Sequence, residues 1–257
     1  MSAPAFNRPP EGYTLDYDQG RYRIGLLALD NDYVIEQDMM AMRPDDGEVT
    51  LFTARVPFAE TCDPETLAAM VDELASATDT ILPGGRLDAV IYGCTSGTAT
   101  IGYENVAKQV KSVRPEAECV TPITAAHAAF KALGLKRIAA FTPYTDEVTT
   151  TTVAALEEGG VEVVKVTNFN IIVTRDISAV TPQSIIAGAL AADDPAAEGL
   201  FISCTDFRAA QVVAEIEERI GKPVVTSNQA SFWQAVRTAG YAKIIKGYGK
   251  LLEAETL

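Results

Sequence analysis

Two cysteines carry the strongest chemical signal in this chain. Cys94 stands in Gly93-Cys94-Thr95-Ser96-Gly97, and Cys204, 110 residues later, stands in Ser203-Cys204-Thr205-Asp206. Each follows a short apolar run and leads straight into threonine. A thiol at a strand end, followed by hydroxyl residues and glycine entering a helix, lies beside backbone N–H groups without helical partners. Such groups lower a thiol's pKa below its free value of about 8.5 and bind carboxylates. Thr95, Ser96 and Gly97 are thus expected to hold a substrate carboxylate while Cys94 stays near the reacting carbon. Thr205 and Asp206 repeat the arrangement beside Cys204. Two thiols on opposite faces of one carbon suit racemisation or epimerisation, one removing a proton and the other delivering one. They equally suit addition of a thiolate to an alkene carbon, rotation and elimination. Neither route needs a metal or an organic cofactor.

Other chemistries find less support. The four cysteines, at 62, 94, 119 and 204, form no CxxC pair, so neither a zinc framework nor a thioredoxin motif is visible. Cys62 and Cys119 have no repeat partner and read as inert thiols. The single histidine, His127, lies in an Ala-rich helical stretch and reads as a packing or helix-start residue. Pro83-Gly84-Gly85-Arg86 reads as a turn before a strand rather than a phosphate loop. Asp30-Asn31-Asp32 lacks the later Gly and Glu of a calcium loop. A net charge of −14 argues against nucleic acid and against an anionic membrane surface, but a locally positive pocket still admits an anionic small molecule. The first 20 residues lack the basic and apolar segments of a signal peptide, and no run is long enough to span a membrane, so a cytoplasmic location is expected.

The elements that must position these thiols alternate. Strand-like apolar runs occupy 23–29, 49–56, 88–92, 137–142, 161–166, 199–203 and 223–226. Helical patterns cover 64–77, 145–159 and 182–192, two of them opening on Asp-Pro or Thr-Pro. Strand then helix, repeated, predicts a parallel sheet covered on both faces. The two halves also repeat: Arg23-Ile24 matches Arg137-Ile138, Cys94-Thr95 matches Cys204-Thr205, and Val120-Thr121 matches Val225-Thr226. The fold predicted is α/β, with two similar Rossmann-like (flavodoxin-like) lobes of parallel sheet related by a pseudo-twofold axis. Residues 1–20 form an N-terminal arm, 21–119 plus 230–257 the first lobe, and 120–229 the second. Ligands collect at the carboxyl ends of strands in open α/β sheets. Both Cys-Thr motifs sit there, so they should face one another across the cleft between lobes.

The paired Gly-Cys94-Thr-Ser-Gly and Ser-Cys204-Thr motifs, with Phe141-Thr-Pro-Tyr144 between them, resemble the Asp/Glu racemase superfamily. Within it the chain is most similar to the maleate isomerase and arylmalonate decarboxylase branch, over about residues 20 to 242. The resemblance implies two catalytic cysteines, a Tyr144 that hydrogen-bonds a substrate carboxylate, and a homodimer or larger assembly. Decarboxylase members keep one of the two cysteines, so a chain with both is expected to isomerise rather than decarboxylate. One position departs from the pattern. Where maleate isomerases place a substrate-binding Asn after the first strand, this chain has Asp32. A carboxylate there repels a second substrate carboxylate and attracts a cationic or amide N–H group; it also suits a plain cap on the next helix. Asp32, together with Arg175-Asp176-Ile177, resembles the ectoine-utilisation A-type proteins, which implies an ectoine or hydroxyectoine derivative as substrate. A maleate-type cis–trans isomerase and a binding protein without chemistry remain the alternatives.

Overall fold

The computed structural model describes residues 5–15 and 20–254. Eight strands form two four-stranded parallel sheets. They are β1 (Tyr22–Leu29), β2 (Val49–Val56), β3 (Ala89–Gly93), β4 (Glu118–Val120), β5 (Arg137–Thr142), β6 (Glu162–Asn168), β7 (Gly199–Ile202) and β8 (Val224–Thr226). The first sheet runs β2-β1-β3-β4 and the second β6-β5-β7-β8, the same order twice. Central strands are continuous apolar runs because both faces are covered: β3 and β7 are buried throughout. The edge strand β6 is half-exposed along most of its length.

The duplication reaches individual hydrogen bonds. In the first lobe Arg23 donates its N–H to Asp88 Oδ2 at 2.8 Å, and Asp88 returns its N–H to Arg23 O. In the second, Arg137 N–H meets Glu198 Oε2 at 3.0 Å, and Glu198 returns its N–H to Arg137 O. After β4 and β8 the chain turns into helices through equivalent capping boxes, Thr121 with Thr124 and Thr226 with Gln229. These helices, Pro122–Leu133 and Ser227–Ala239, pack on each other, and the core around them takes Ile24 and Ile91 from one sheet and Ile138 and Phe201 from the other. The two lobes therefore share an interior layer.

Several sequence expectations need adjusting. β4 was too short to stand out as a strand. The 64–77 helix is broken into Pro64–Ala69, a 3₁₀ turn Met70–Glu73, and Leu74–Asp79. The expected boundary between residues 229 and 230 falls inside the continuous Ser227–Ala239 helix. Of the expected arm, residues 5–15 are exposed, and 1–4 and 16–19 lie outside the described residues, as do 255–257 of the first lobe. His127 bonds Ala155 O through Nε2 at 2.9 Å, which fits its reading as a packing residue. No helix among the described residues is long and apolar enough to cross a membrane.

Candidate active site

Cys94 leaves β3 and Cys204 follows β7 by two residues, so both stand at the carboxyl ends of central strands. They line one cavity of about 30 Å³ together with Asp32, Thr95, Ser96, Tyr144, Thr205 and Asp206. That volume accommodates about two water molecules. Gly97, the ninth expected site residue, does not line it. Its N–H donates to Cys94 Sγ at 3.2 Å instead of facing a ligand. Its missing side chain is a packing requirement: a Cβ would lie 2.5 Å from Tyr92 Oη and 2.8 Å from Cys94 Sγ.

The two cysteines are held differently. Cys94 is the N-cap of the Thr95–Ile101 helix, in extended backbone, with its sulfur accepting from Gly97. Cys204 starts no helix, against the expectation that its motif repeats the first. It has φ of +93°, which an L-residue adopts at a cost of about 1–3 kcal/mol. Its N–H donates to Ser227 Oγ at 3.1 Å, and the next residue, Thr205, donates its hydroxyl to Gly93 O at 3.1 Å. Ser227 Oγ also accepts from Thr95 Oγ1 at 2.8 Å.

Electrostatics overturns the expectation of thiols titrating below 8.5. Burial pushes Cys94 up to about 12, with neighbouring Cys62 adding to the rise and the Gly97 N–H opposing it. Burial, and next the charge of Asp206, hold Cys204 well above the ordinary thiol range, while the Tyr144 hydroxyl opposes them. In this cavity desolvation outweighs the helix terminus, and both thiols are protonated.

Asp32 and Asp206 form an acidic pole, one from each lobe. Asp32 Oδ1 accepts the N–H groups of Val34 and Ile35, both at 2.8 Å, so it does cap the Ile35–Met42 helix. Its Oδ2 is buried, and the carboxyl stands against the Thr205 and Asp206 side chains. Asp206 Oδ1 accepts the N–H of Tyr33 at 2.9 Å. Burial raises Asp32, opposed by the Ile35 and Val34 N–H groups. Burial and then the Asp32 charge raise Asp206 to about 8. Two such carboxyls cannot both ionise cheaply, so the pair keeps one proton at neutral pH. Tyr144 is also in the lining; its hydroxyl accepts from Ser203 Oγ at 3.3 Å.

Cys62 is the residue the sequence reading missed. It lines the same cavity, 4% exposed, and its sulfur lies 3.7 Å from Ser96 Oγ, with Cys94 Sγ at 3.8 Å from the same hydroxyl. Only its place four residues after Pro57-Phe58, in a loop following β2, hinted at a position over strand ends. That loop is fastened to the other lobe. Cys62 N–H donates to Ile172 O at 3.0 Å, Thr174 N–H to Glu60 O at 3.0 Å, and Thr61 pairs with Val173 as an antiparallel bridge. Asn31 Nδ2 donates to Ala59 O and Thr174 Oγ1, joining a third loop to the strap.

Comparison with known proteins places this arrangement in one enzyme family. The arylmalonate decarboxylase family profile matches residues 52–252. Arylmalonate decarboxylase of Bordetella bronchiseptica is 33% identical over 138 residues, 52% of this chain and 58% of that enzyme's length. Maleate isomerase of Nocardia farcinica is 25% identical over 247 residues, 92% of this chain and 98% of that one. The crystal structure of maleate isomerase Iso from Pseudomonas putida S16 superposes with a TM-score of 0.84 at 19% identity, over 91% of this chain and 99% of that one. Arylmalonate decarboxylase superposes at 0.71 and 23% identity, over 90% and 99%. The two-lobed fold is therefore that of the maleate isomerases and arylmalonate decarboxylase, and with the profile matching most of its length, the chain belongs to the arylmalonate decarboxylase family.

Proposed function

We propose that this protein is a cofactor-independent isomerase or racemase of a small carboxylate, with Cys94 and Cys204 as its catalytic thiols. The observation that carries the reading is that one cysteine from each half of a duplicated fold lines a single cavity. Cys94, whose sulfur accepts the Gly97 N–H, is the better placed to hold negative charge and acts as base or nucleophile. Cys204, held above the ordinary thiol range chiefly by burial, keeps its proton and acts as donor. Thr95, Ser96 and Tyr144 sit where they can bind the substrate carboxylate. The loops of Cys62 and Thr174, bonded to each other at the cavity, limit access of water to the reacting carbon.

The acidic pole sharpens the substrate. Asp32 and Asp206 both line the cavity, so a ligand that supplies a protonated nitrogen or an N–H fits better there than a second carboxylate. A cation there also lowers both thiols, since the Asp32 charge contributes to raising them. An ectoine or hydroxyectoine derivative, a zwitterion carrying a cyclic amidine, has this chemistry. Incubation of candidate zwitterions in deuterium oxide, followed by proton NMR, tests the reading. Deuterium at the carbon beside the carboxylate is the expected result; tight binding with neither exchange nor isomerisation rejects it.

A second reading, cis–trans isomerisation through a covalent Cys94 adduct, is favoured by the full-length similarity to maleate isomerases. One solved relative, a maleate cis–trans isomerase from Nocardia farcinica, carries a covalently bound succinylcysteine intermediate. Intact-mass measurement with maleate during turnover separates the two: an adduct supports the second and its absence counts against it. A cytoplasmic homodimer or larger assembly is the setting we infer for either.

A further inference from the structure

We propose that Ser227 and Asn228, the first two residues of the Ser227–Ala239 helix, are positioning residues that hold Cys204 in its left-handed backbone conformation and tie its loop to that of Cys94. This role in catalysis rests on the two-thiol reading above, whereas the backbone strain it explains does not.

A φ of +93° ordinarily calls for glycine. A side chain survives there only where surrounding bonds over-determine the backbone. Three such bonds converge on residues 204 and 205. Ser227 Oγ accepts the Cys204 N–H at 3.1 Å. Asn228 Nδ2 donates to Thr205 O at 2.8 Å. Thr205 Oγ1 donates to Gly93 O at 3.1 Å. Ser227 Oγ spends its second acceptor site on Thr95 Oγ1 at 2.8 Å, so one hydroxyl contacts the residue after Cys94 and the N–H of Cys204. Neither bond is replaceable from solvent, because Ser227 and Asn228 are 0% and 1% exposed.

The orientation of Asn228 is equally committed. Its second Nδ2 hydrogen goes to Asp38 Oδ2 at 2.8 Å, and its Oδ1 is buried without a partner. Turning the amide over would set its oxygen against the Asp38 carboxylate and the Thr205 carbonyl, so Asp38 fixes the amide that fixes the Cys204 loop. Gln211 Nε2 holds the other Asp38 oxygen at 3.1 Å.

A double-mutant cycle on the full chain reads the strain without any substrate. In the native background Cys204→Gly is expected to melt about 2–4 °C above Cys204→Ala, because only glycine adopts this φ freely. With Ser227→Ala added the peptide relaxes, and the gap closes to about 1 °C or less. An equal gap in both backgrounds overturns the proposal. The positioning role is read by the pH–rate profile of iodoacetamide alkylation at each cysteine, followed by peptide mass spectrometry. Ser227→Ala should speed Cys204 about tenfold, the equivalent of one lost buried hydrogen bond, and Ser227→Thr should restore the native rate. Cys119, outside the cavity, is the internal control. An unchanged Cys204 profile sinks the idea. If Ser227→Ala does not fold, hydrogen exchange of the native Cys204 amide decides: protection like that of β7 supports the bond, and loop-like exchange overturns it. Failure of the two-thiol reading shows separately, as absence of deuterium incorporation by the native enzyme.

Discussion

Tyr33 donates its backbone N–H to Asp206 across the lobe boundary at 2.9 Å, which sets the second lobe's carboxyl beside Asp32, one residue before Tyr33. The contact makes the pH dependence of folding specific. Asp206 stands at about 8 against an ordinary 3.8, raised by burial and then by Asp32, with the Tyr33 N–H and Arg175 opposing. The folded state thus binds this proton more tightly than the unfolded chain. The stabilisation is complete below about pH 4 and is lost as pH rises towards 8. Asp206→Asn removes the titration, so its melting temperature should rise relative to the native protein between pH 4.5 and 8.5. A difference independent of pH in that window would mean that the pair does not share a proton.

The thiols should separate by role. Cys94→Ser and Cys204→Ser are each expected to lower turnover by about 10²–10⁴, the range for a lost general acid or base. Cys62→Ser should cost far less, because its sulfur packs on Ser96 at 3.7 Å without taking the place of either strand-end thiol. Steady-state rates of the three variants on one substrate check this. A Cys62 variant as crippled as the Cys94 variant would reassign the base.

How much of this was legible depended on whether the determinant was local. Strands and helix caps are local patterns and the repeat is a matter of spacing, so the duplicated α/β fold and the lining residues beside the two cysteines could be read from them, whereas Asp32 and Tyr144 came from the family resemblance. Three features could not. Cys62 reaches the cavity because its loop is bridged to residues 172–174, more than 100 positions away. The left-handed Cys204 follows from bonds to Ser227 and Asn228, not from its own motif, which looked like that of Cys94. The upward thiol shifts follow from depth of burial, which overrides the helix terminus that the motif alone brought forward. The packing of Gly97 on Tyr92 and Cys94 likewise follows from tertiary contacts that its motif does not display.

Asp32→Asn should change what binds more than whether the chain folds. An asparagine oxygen still caps Val34 and Ile35, so stability should fall by about 1 kcal/mol or less. The amide ends the repulsion of a second carboxylate. Maleate affinity is therefore expected to rise roughly tenfold or more and affinity for zwitterions to fall, since hydrogen bonds to charged groups are worth about 1.5–3 kcal/mol. Calorimetric titration of both proteins with maleate and with ectoine measures it. A variant with unaltered preference would show that Asp32 is a cap and nothing more.

Gly97→Ala tests whether Cys94 is positioned by packing. The added methyl would meet Tyr92 Oη at 2.5 Å, Met70 Cε at 2.7 Å and Cys94 Sγ at 2.8 Å, all inside the distance that real contacts tolerate. Met70 can yield, but Tyr92 is fully buried and Cys94 is the group at stake. Overpacking of this kind costs about 1–3 kcal/mol, or several degrees of melting temperature in a chain of this size. The relief most open to the structure is displacement of the Cys94 sulfur, which breaks its bond to the Gly97 N–H. Alkylation of Cys94 should then lose the support of that donor and slow at every pH below its titration, while Cys204 keeps its native profile. Equal changes at both thiols would instead point to a general loosening of the cavity, and an unaltered Cys94 would show that its sulfur is not held by this glycine.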